Sequence, residues 1–461
     1  MNIFEIVQAV KNAKGSNNKI GLLNANSGNK ILQKYLSTVY DTRLCFYVQK
    51  YEAGTPTKQE YDDTEIERML DFVSALSERL LTGEAAQEAI KEFTATLSTD
   101  GQELFAALIR RDIKAGVASG TLIKIWPNSI FIEPYQRCVL AKDTNSDIKG
   151  WGFYVSQLKA DGSFASLDAS DELHHCASRA GTIYPNSVPF MNLINEVRLK
   201  QDEIVFNEYK VKDCTIEGEF LVRVDGEILP REESNGMLNS LQQSGKELPE
   251  NAELLYFVWD IVPTEKRKYK GSFGVGYKQR FEAIERLFSE GTLAFPIETK
   301  FFNSYEQCVE HFLEKINLGL EGTIIKHPNA IWEDGDNKLQ IKMKIEAECE
   351  LKIVGFNPAE KASKYEHLFG SLQLESEDGL LKVGCSSGLK DAVRAELHQI
   401  GDNLIGQLVT VRFNDILKPK ENGSDCHSLF LPRFVELRLD KTEADSLQRI
   451  QDIFEDAKRP K

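Results

Sequence analysis

Apolar residues recur at helical spacing through the first quarter of the chain. Ile66, Met69, Leu70, Val73, Leu76 and Leu80 fall on one helix face behind Thr64 as the cap, and Leu104, Phe105, Leu108 and Ile109 repeat the pattern after Thr99 or Asp100. The spacing predicts an all-α region over residues 1–128. Between 129 and 346 short apolar strands alternate with helical stretches, and Pro, Asn, Asp and Gly mark the turns, which predicts an α+β body. From 347 to 461 the pattern changes to short strands such as Leu351-Lys352-Ile353-Val354, Leu408-Val409-Thr410-Val411 and Phe434-Val435-Glu436-Leu437, as in a small β-barrel. Leu447, Ile450, Ile453 and Phe454, with Thr442 as cap, predict a terminal helix.

Strand period then decides which charges share a face. In Leu339-Gln340-Ile341-Lys342-Met343-Lys344-Ile345 the odd positions are apolar and the even ones polar, so Lys342 and Lys344 are expected side by side. Such a pair costs free energy unless an anion sits between them, and phosphate suits. Ile216-Glu217-Gly218-Glu219-Phe220 pairs two acids in the same way, with a glycine that lets a ligand or another backbone approach closely. Leu255-Tyr256-Phe257-Val258-Trp259 puts Phe257 and Trp259 on one side, where an indole serves either as core or as a stacking plate. Leu320-Glu321-Gly322-Thr323-Ile324-Ile325-Lys326 turns into a strand, beginning with an acid and ending with a base.

Composition narrows the field. A chain of 461 residues exceeds one ordinary core, so several domains are expected. No apolar run has the length of a membrane span and the first residues lack a signal-peptide pattern, which points to a cytoplasmic protein, in a host cytoplasm if viral, with no membrane partner. Eight scattered cysteines with no CxxC pair argue for reduced thiols and against structural zinc. His174-His175-Cys176 fits a metal poorly, because adjacent residues cannot all face one ion. The net charge of −15 does not look like a nucleic-acid binder, yet a basic track can exist on an acidic body. One candidate is Arg110-Arg111-Asp112-Ile113-Lys114, followed by Gly116-Val117-Ala118-Ser119-Gly120-Thr121 and then Lys124. Cations beside backbone N–H groups at a helix start suit a phosphate backbone, although an ordinary solvated helix corner would read the same.

The chemistry centres on Gln157-Leu158-Lys159-Ala160-Asp161-Gly162, a strand end entering a tight turn. A lysine there can present its amine to a cleft, and a neutral amine is a nucleophile. With paired acids, paired lysines and an aromatic plate, these are the parts needed to attack the α-phosphate of a nucleotide in line. GxxxxGK[ST] is absent, so the phosphates are not held by a P-loop.

Taken in order, Lys159-Ala160-Asp161-Gly162, Ser178-Arg179-Ala180-Gly181, Glu217-Gly218-Glu219-Phe220, Val258-Trp259-Asp260, Glu321-Gly322-Thr323-Ile324-Ile325-Lys326, Lys342-Met343-Lys344 and Arg438-Leu439-Asp440-Lys441 resemble the motifs of the lysine nucleotidyltransferase superfamily. The series is most similar to the ATP-dependent DNA ligases of the short bacteriophage type. The resemblance implies an all-α DNA-binding domain over 1–128, an adenylation domain over 129–346 and an OB-fold β-barrel with a C-terminal helix over 347–461. It implies that Lys159 attacks ATP and carries AMP, with Leu158 and Lys326 lining the nucleotide site. It further implies that Arg179 contacts ribose or the nick 5′-phosphate, that Glu219 binds ribose or metal, and that Glu321 holds Mg²⁺. Trp259 would stack on adenine, Lys342 and Lys344 would grip the α-phosphate, and Arg438 and Lys441 would orient pyrophosphate. Arg110, Arg111, Lys114, Lys124 and Arg179 are the implied DNA contacts, and the implied partner is nicked duplex DNA encircled by a monomer. One departure stands out: the family reads KxDGxR, and Phe164 occupies the arginine position. An RNA ligase, a capping-type guanylyltransferase and a non-catalytic nick binder remain open at this point. An NAD-dependent ligase does not fit, for want of its four-cysteine module.

Overall fold

The computed structural model describes residues 1–48, 50–168, 175–184, 187–199, 205–206, 208–244, 246–361, 363–419 and 425–458; His174 lies outside them. Among these, the first 128 residues carry seven helices and no strand: α1 (Ile3–Asn12), α2 (Ser16–Ala25), α3 (Lys30–Tyr40), α4 (Thr64–Ser77), α5 (Gly83–Ala95), α6 (Thr99–Arg110) and α7 (Ser119–Ile125). Their apolar faces enclose a core that includes Ile6, Leu32, Tyr35, Ile66, Met69, Leu104, Phe105 and Leu108. The helix ends differ from the expected ones for local reasons. α4 stops at Ser77 because the chain turns left-handed at Arg79 (φ 59°), which leaves Leu80 71% exposed rather than on the buried stripe. α6 is capped by Ser98, whose hydroxyl accepts from Gly101 N at 3.0 Å, and the terminal helix Leu447–Ala457 is capped by Ser446, not Thr442.

Two sheets follow. One runs Gln136–Leu140, Gly335–Met343, Thr323–Lys326, Tyr154–Leu158, Thr299–Phe302 in spatial order. The other runs Ala294–Pro296, Ala252–Pro263, Cys214–Val224, Ser163–Asp168, His175–Ser178. A third, antiparallel sheet has the order Lys382–Cys385, Phe369–Glu375, Ala347–Pro358, Leu408–Phe413, Arg433–Arg438. Among the described residues its five strands do not close by a continuous ladder into the expected β-barrel, and a parallel bridge between Ser387 and Arg433 joins the segment after Lys382–Cys385 to Arg433–Arg438.

The chain divides into two compact units. The first comprises Met1–Val139, Ala160–Thr299 and Lys326–Gln340; the second comprises Leu140–Lys159, Lys300–Ile325 and Ile341–Lys461. The second has its own core, including Tyr154, Phe312, Ile325, Leu351, Leu372, Val411 and Phe413. All eight cysteines are free, and among the described residues no helix is long and apolar enough to cross a membrane.

Candidate active site

Lys159 follows the strand Tyr154–Leu158, a central strand with Thr323–Lys326 on one side and Thr299–Phe302 on the other. Its backbone N–H donates to Gly322 O at 3.0 Å, which pins the nucleophile's backbone beside the Glu321 turn. Gly322 must be glycine. Its φ is 127°, and a Cβ there would meet Met343 O at 2.4 Å. The Lys159 ammonium forms an ion pair with Glu321, both side chains remaining partly exposed.

Three further cations of the second unit are held by carboxylates. The strand Gly335–Met343 ends one residue before Lys344, whose ammonium pairs with Glu346 at 3.1 Å. Lys342, on the strand itself, is half-buried. The anion that the paired lysines called for is thus partly supplied by the chain. Burial pushes the Glu346 carboxyl up, but Lys344, Arg433 and Arg412 outweigh it and hold the group below its ordinary value. Arg438 donates to Glu350 at 2.6 Å and to Asp440 at 2.9 and 2.8 Å, and Lys441 donates to Glu350 at 3.1 Å.

In the first unit Glu219 accepts from Gly162 N at 3.1 Å, which ties the turn after the nucleophile to the strand Cys214–Val224. Glu217 and Glu219, placed on one face by strand period, meet different partners. Glu217 is buried and bonded to Arg267 Nε at 2.8 Å and to Trp332 Nε1 at 3.3 Å. Burial raises its carboxyl above the ordinary range, against the pull of Arg267. The glycine between the two acids serves a neighbouring strand rather than a ligand, since a Cβ on Gly218 would meet Tyr256 Cε2 at 2.5 Å and Phe257 O at 2.6 Å. At this point the pairing slips: Glu217 faces Asp260 but Gly218 faces Val258, so Trp259 is the extra residue of a β-bulge. Trp259 is half-buried, its ring centroid 5.8 Å from that of Phe164, and Phe164 is in turn 4.7 Å from Tyr135. The exposed Arg179 lays its guanidinium over the Tyr135 ring at 4.7 Å. Lys326 is 2% exposed, with its amine 3.9 Å from the Tyr277 ring centroid. Burial lowers its pKa to about 8.

A family model described as ATP dependent DNA ligase domain matches residues 138–344. The DNA ligases of Enterobacteria phages T6 and T4 are each 28% identical to the chain, over 98% of this chain and 98% of theirs. Residues 138–344 thus resemble an ATP-dependent DNA ligase domain, and the chain is similar to phage DNA ligases along nearly its whole length. A solved structure named Pmar-Lig_PreS3, 21% identical, shares the fold at a TM-score of 0.68, over 95% of this chain and 99% of its own. The matched ligase domain includes Lys159, Arg179, Glu219, Trp259, Glu321, Lys326, Lys342 and Lys344; the helical region and Arg438 and Lys441 lie outside it.

Measured against the family pattern, Phe164 fills the arginine position with an aromatic that is only 9% exposed, wedged between Tyr135 and Trp259 and paired in register with Glu219. At the basic corner Arg110, Lys114 and Lys124 are exposed, and Arg111 and Lys114 both adopt left-handed backbone (φ 60° and 54°). Arg111 turns inward, donating to Asp41 O beneath the Phe46 ring. Glu321 offers hard oxygen donors of the type magnesium takes together with substrate phosphates. Among the described residues no group of three or more His, Cys, Asp or Glu is arranged to hold an ion by itself.

Sequence reading passed over Glu133, Tyr135, Arg267, Glu346 and Glu350. Arg267 donates to Glu133, Glu217 and Pro134 O from a side chain only 6% exposed. Nothing in Lys266-Arg267-Lys268-Tyr269-Lys270 distinguishes the inward arginine from its outward neighbours.

Proposed function

We propose that the protein is an ATP-dependent DNA ligase that seals 5′-phosphate/3′-hydroxyl nicks in duplex DNA. The observation that carries this reading is the contact of the Lys159 amine with Glu321 at the end of a central strand. Glu321 fixes the direction of Nζ and is the nearest base for the proton it sheds. The Lys159 nitrogen then bonds to the α-phosphorus of ATP as the bond to pyrophosphate breaks, and AMP remains on lysine. Next, a 5′-phosphate oxygen of the nick attacks that phosphorus and frees the amine. The 3′-hydroxyl finally attacks the 5′-phosphorus, joining the strands and expelling AMP.

We assign adenine stacking to Trp259, nucleotide lining to Leu158 and Lys326, ribose or 5′-phosphate contact to Arg179, and the ribose hydroxyl to Glu219. Lys342 and Lys344 take the α-phosphate, and Arg438 and Lys441 take pyrophosphate. Magnesium would be held by Glu321, or by Glu219 where that residue does not take the ribose, and would supply Lewis-acid neutralisation of the developing charge. Residues 1–128 are read as the DNA-binding domain, contacting phosphates through Arg110, Lys114 and Lys124, while the expected contact from Arg111 is set aside because its side chain is turned to Asp41 O. Residues 129–346 are read as the adenylation domain and 347–461 as an OB fold, the whole acting in the cytoplasm as a monomer around DNA.

Incubation with α-labelled ATP tests the reading. Stable label on the wild type, absent from Lys159→Ala, with sealing of nicked DNA in preference to RNA ends and no labelling by GTP, is the expected result. An unlabelled wild type refutes it.

A further inference from the structure

Beyond the corner at Arg110–Lys124, one other concentration of positive charge stands on this acidic chain. Residues 265–271 read Glu-Lys-Arg-Lys-Tyr-Lys-Gly, and the neighbouring strand Tyr209–Lys210 leads into residues 211–213. The two segments are held together by Thr264 N–H donating to Asp213 O at 2.8 Å, by the Thr215 and Thr264 hydroxyls at 3.0 Å, and by Tyr209 donating to Glu265 at 3.1 Å. They bring together Lys210, Lys212, Lys266, Lys268 and Lys270, against Glu208, Asp213 and Glu265. Glu265 is already engaged by Lys266 at 3.1 Å as well as by Tyr209. Asp334, which accepts from Lys270 N–H, is a fourth acid at the loop, so the five lysines leave a small excess of cations on a protein whose net charge is −15.

The loop is fastened from below. Arg267 runs inward to Glu133 and Glu217, while Gly271 N–H donates to Lys268 O at 2.6 Å and Lys270 N–H donates to Asp334 Oδ2 at 2.8 Å. Lys268, Tyr269 and Lys270 are exposed on this fixed base. Lys270 also holds left-handed backbone (φ 56°), which turns the chain sharply before Gly271. Tyr269, 43% exposed, is the one large exposed apolar side chain of the loop among the described residues. A membrane surface would need a broader apolar face.

We propose that this loop, through Lys268 and Lys270 with Tyr269 between them, is a sequence-independent contact for the phosphate backbone of duplex DNA. Its Arg267 root ties it to Glu217, two residues along the strand from Glu219, so DNA gripped here is registered against the strand that carries part of the nucleotide site. The proposal rests on the DNA ligase reading.

The test uses the full chain and measures binding to nicked and to intact duplex across a range of salt. Lys268→Gln combined with Lys270→Gln should flatten the slope of log affinity against log salt by about 2, on nicked and intact DNA alike. The deficit of the variant should therefore be largest at low salt and narrow by roughly 60- to 100-fold over a decade of salt. Self-adenylation, which involves no DNA, should stay at the wild-type rate. The charge-keeping change of both lysines to Arg should preserve the slope. An unchanged slope in the Gln variant overturns the proposal, as does an Arg variant that loses as much as the Gln variant, or a parallel loss of adenylation. A wild type that neither adenylates nor binds DNA fails the underlying ligase reading instead.

Discussion

Replacing Lys326 with Met removes a charge that folding disfavours, and the size of the effect follows from the burial of the amine. The group falls from an ordinary 10.5 to about 8, because burial strips its solvent and nearby Arg280 opposes it, while Asp260 and Glu217 recover only part. That fall corresponds to about 3 kcal/mol. Between pH 8 and 10.5 the folded chain binds fewer protons than the unfolded one, so this contribution to stability rises with pH. Below pH 8 the amine is protonated in both states and the full cost stands; above 10.5 it is gone. The Tyr277 ring, 3.9 Å from the ammonium, returns about 1–2 kcal/mol that Met forfeits. Lys326→Met should therefore be more stable than wild type at pH 7 by about 1–2 kcal/mol, and the gap should fall to within about 1 kcal/mol of zero by pH 10, where the amine is neutral in the fold and the ring holds no cation. Urea unfolding followed by tryptophan fluorescence at the two pH values measures both. A gap that does not change with pH, or a variant less stable at pH 7 than at pH 10 relative to wild type, refutes the reasoning. A stabilising replacement also implies that the lysine is kept for function, so the same variant should adenylate more slowly.

Two other substitutions probe the nucleotide contacts. Phe164→Arg restores the family residue opposite Glu219; a charge-assisted contact of about 1.5 kcal/mol should lower the ATP concentration for half-maximal adenylation by up to roughly tenfold, and unchanged ATP dependence would show that the arginine is not missed. Glu350→Gln relieves Arg438 and Lys441 of one carboxylate and should reduce the KM for ATP in adenylation a few-fold with kcat little altered; an unmoved KM means that these cations do not meet the triphosphate.

The elements most legible in the sequence are those set by local periodicity. Ile66, Met69, Leu70, Val73 and Leu76 point to α4, all buried as their spacing requires, whereas Leu80 fails because one left-handed residue ends the helix before it. The strand Cys214–Val224 is legible too, but the meaning of its acids is not. Glu217 and Glu219 share a face by period, and only the arrival of Arg267 and Trp332 from distant parts of the chain makes one a structural anchor and leaves the other at the Gly162 turn. Trp259 is a similar case, since a bulge is a property of two strands and neither sequence declares it.

The same limit explains the acids beside the basic motif residues. Motif reading finds cations because phosphate chemistry demands them, and is silent on what those cations touch in the chain itself. In the second unit Lys159 contacts Glu321, Lys344 contacts Glu346, and Arg438 and Lys441 share Glu350. Each carboxylate offsets the repulsion that clustered cations would otherwise bring to the fold. On the proposed reading, a triphosphate that binds Lys344, Arg438 and Lys441 must therefore displace Glu346 and Glu350 from them. Binding becomes an exchange of one anion for another, and the net gain is the difference between a charge-assisted bond to phosphate and one to carboxylate, not the full value of either. If the proposed contacts hold, affinity is set as much by Glu346 and Glu350 as by the basic residues that the motifs name.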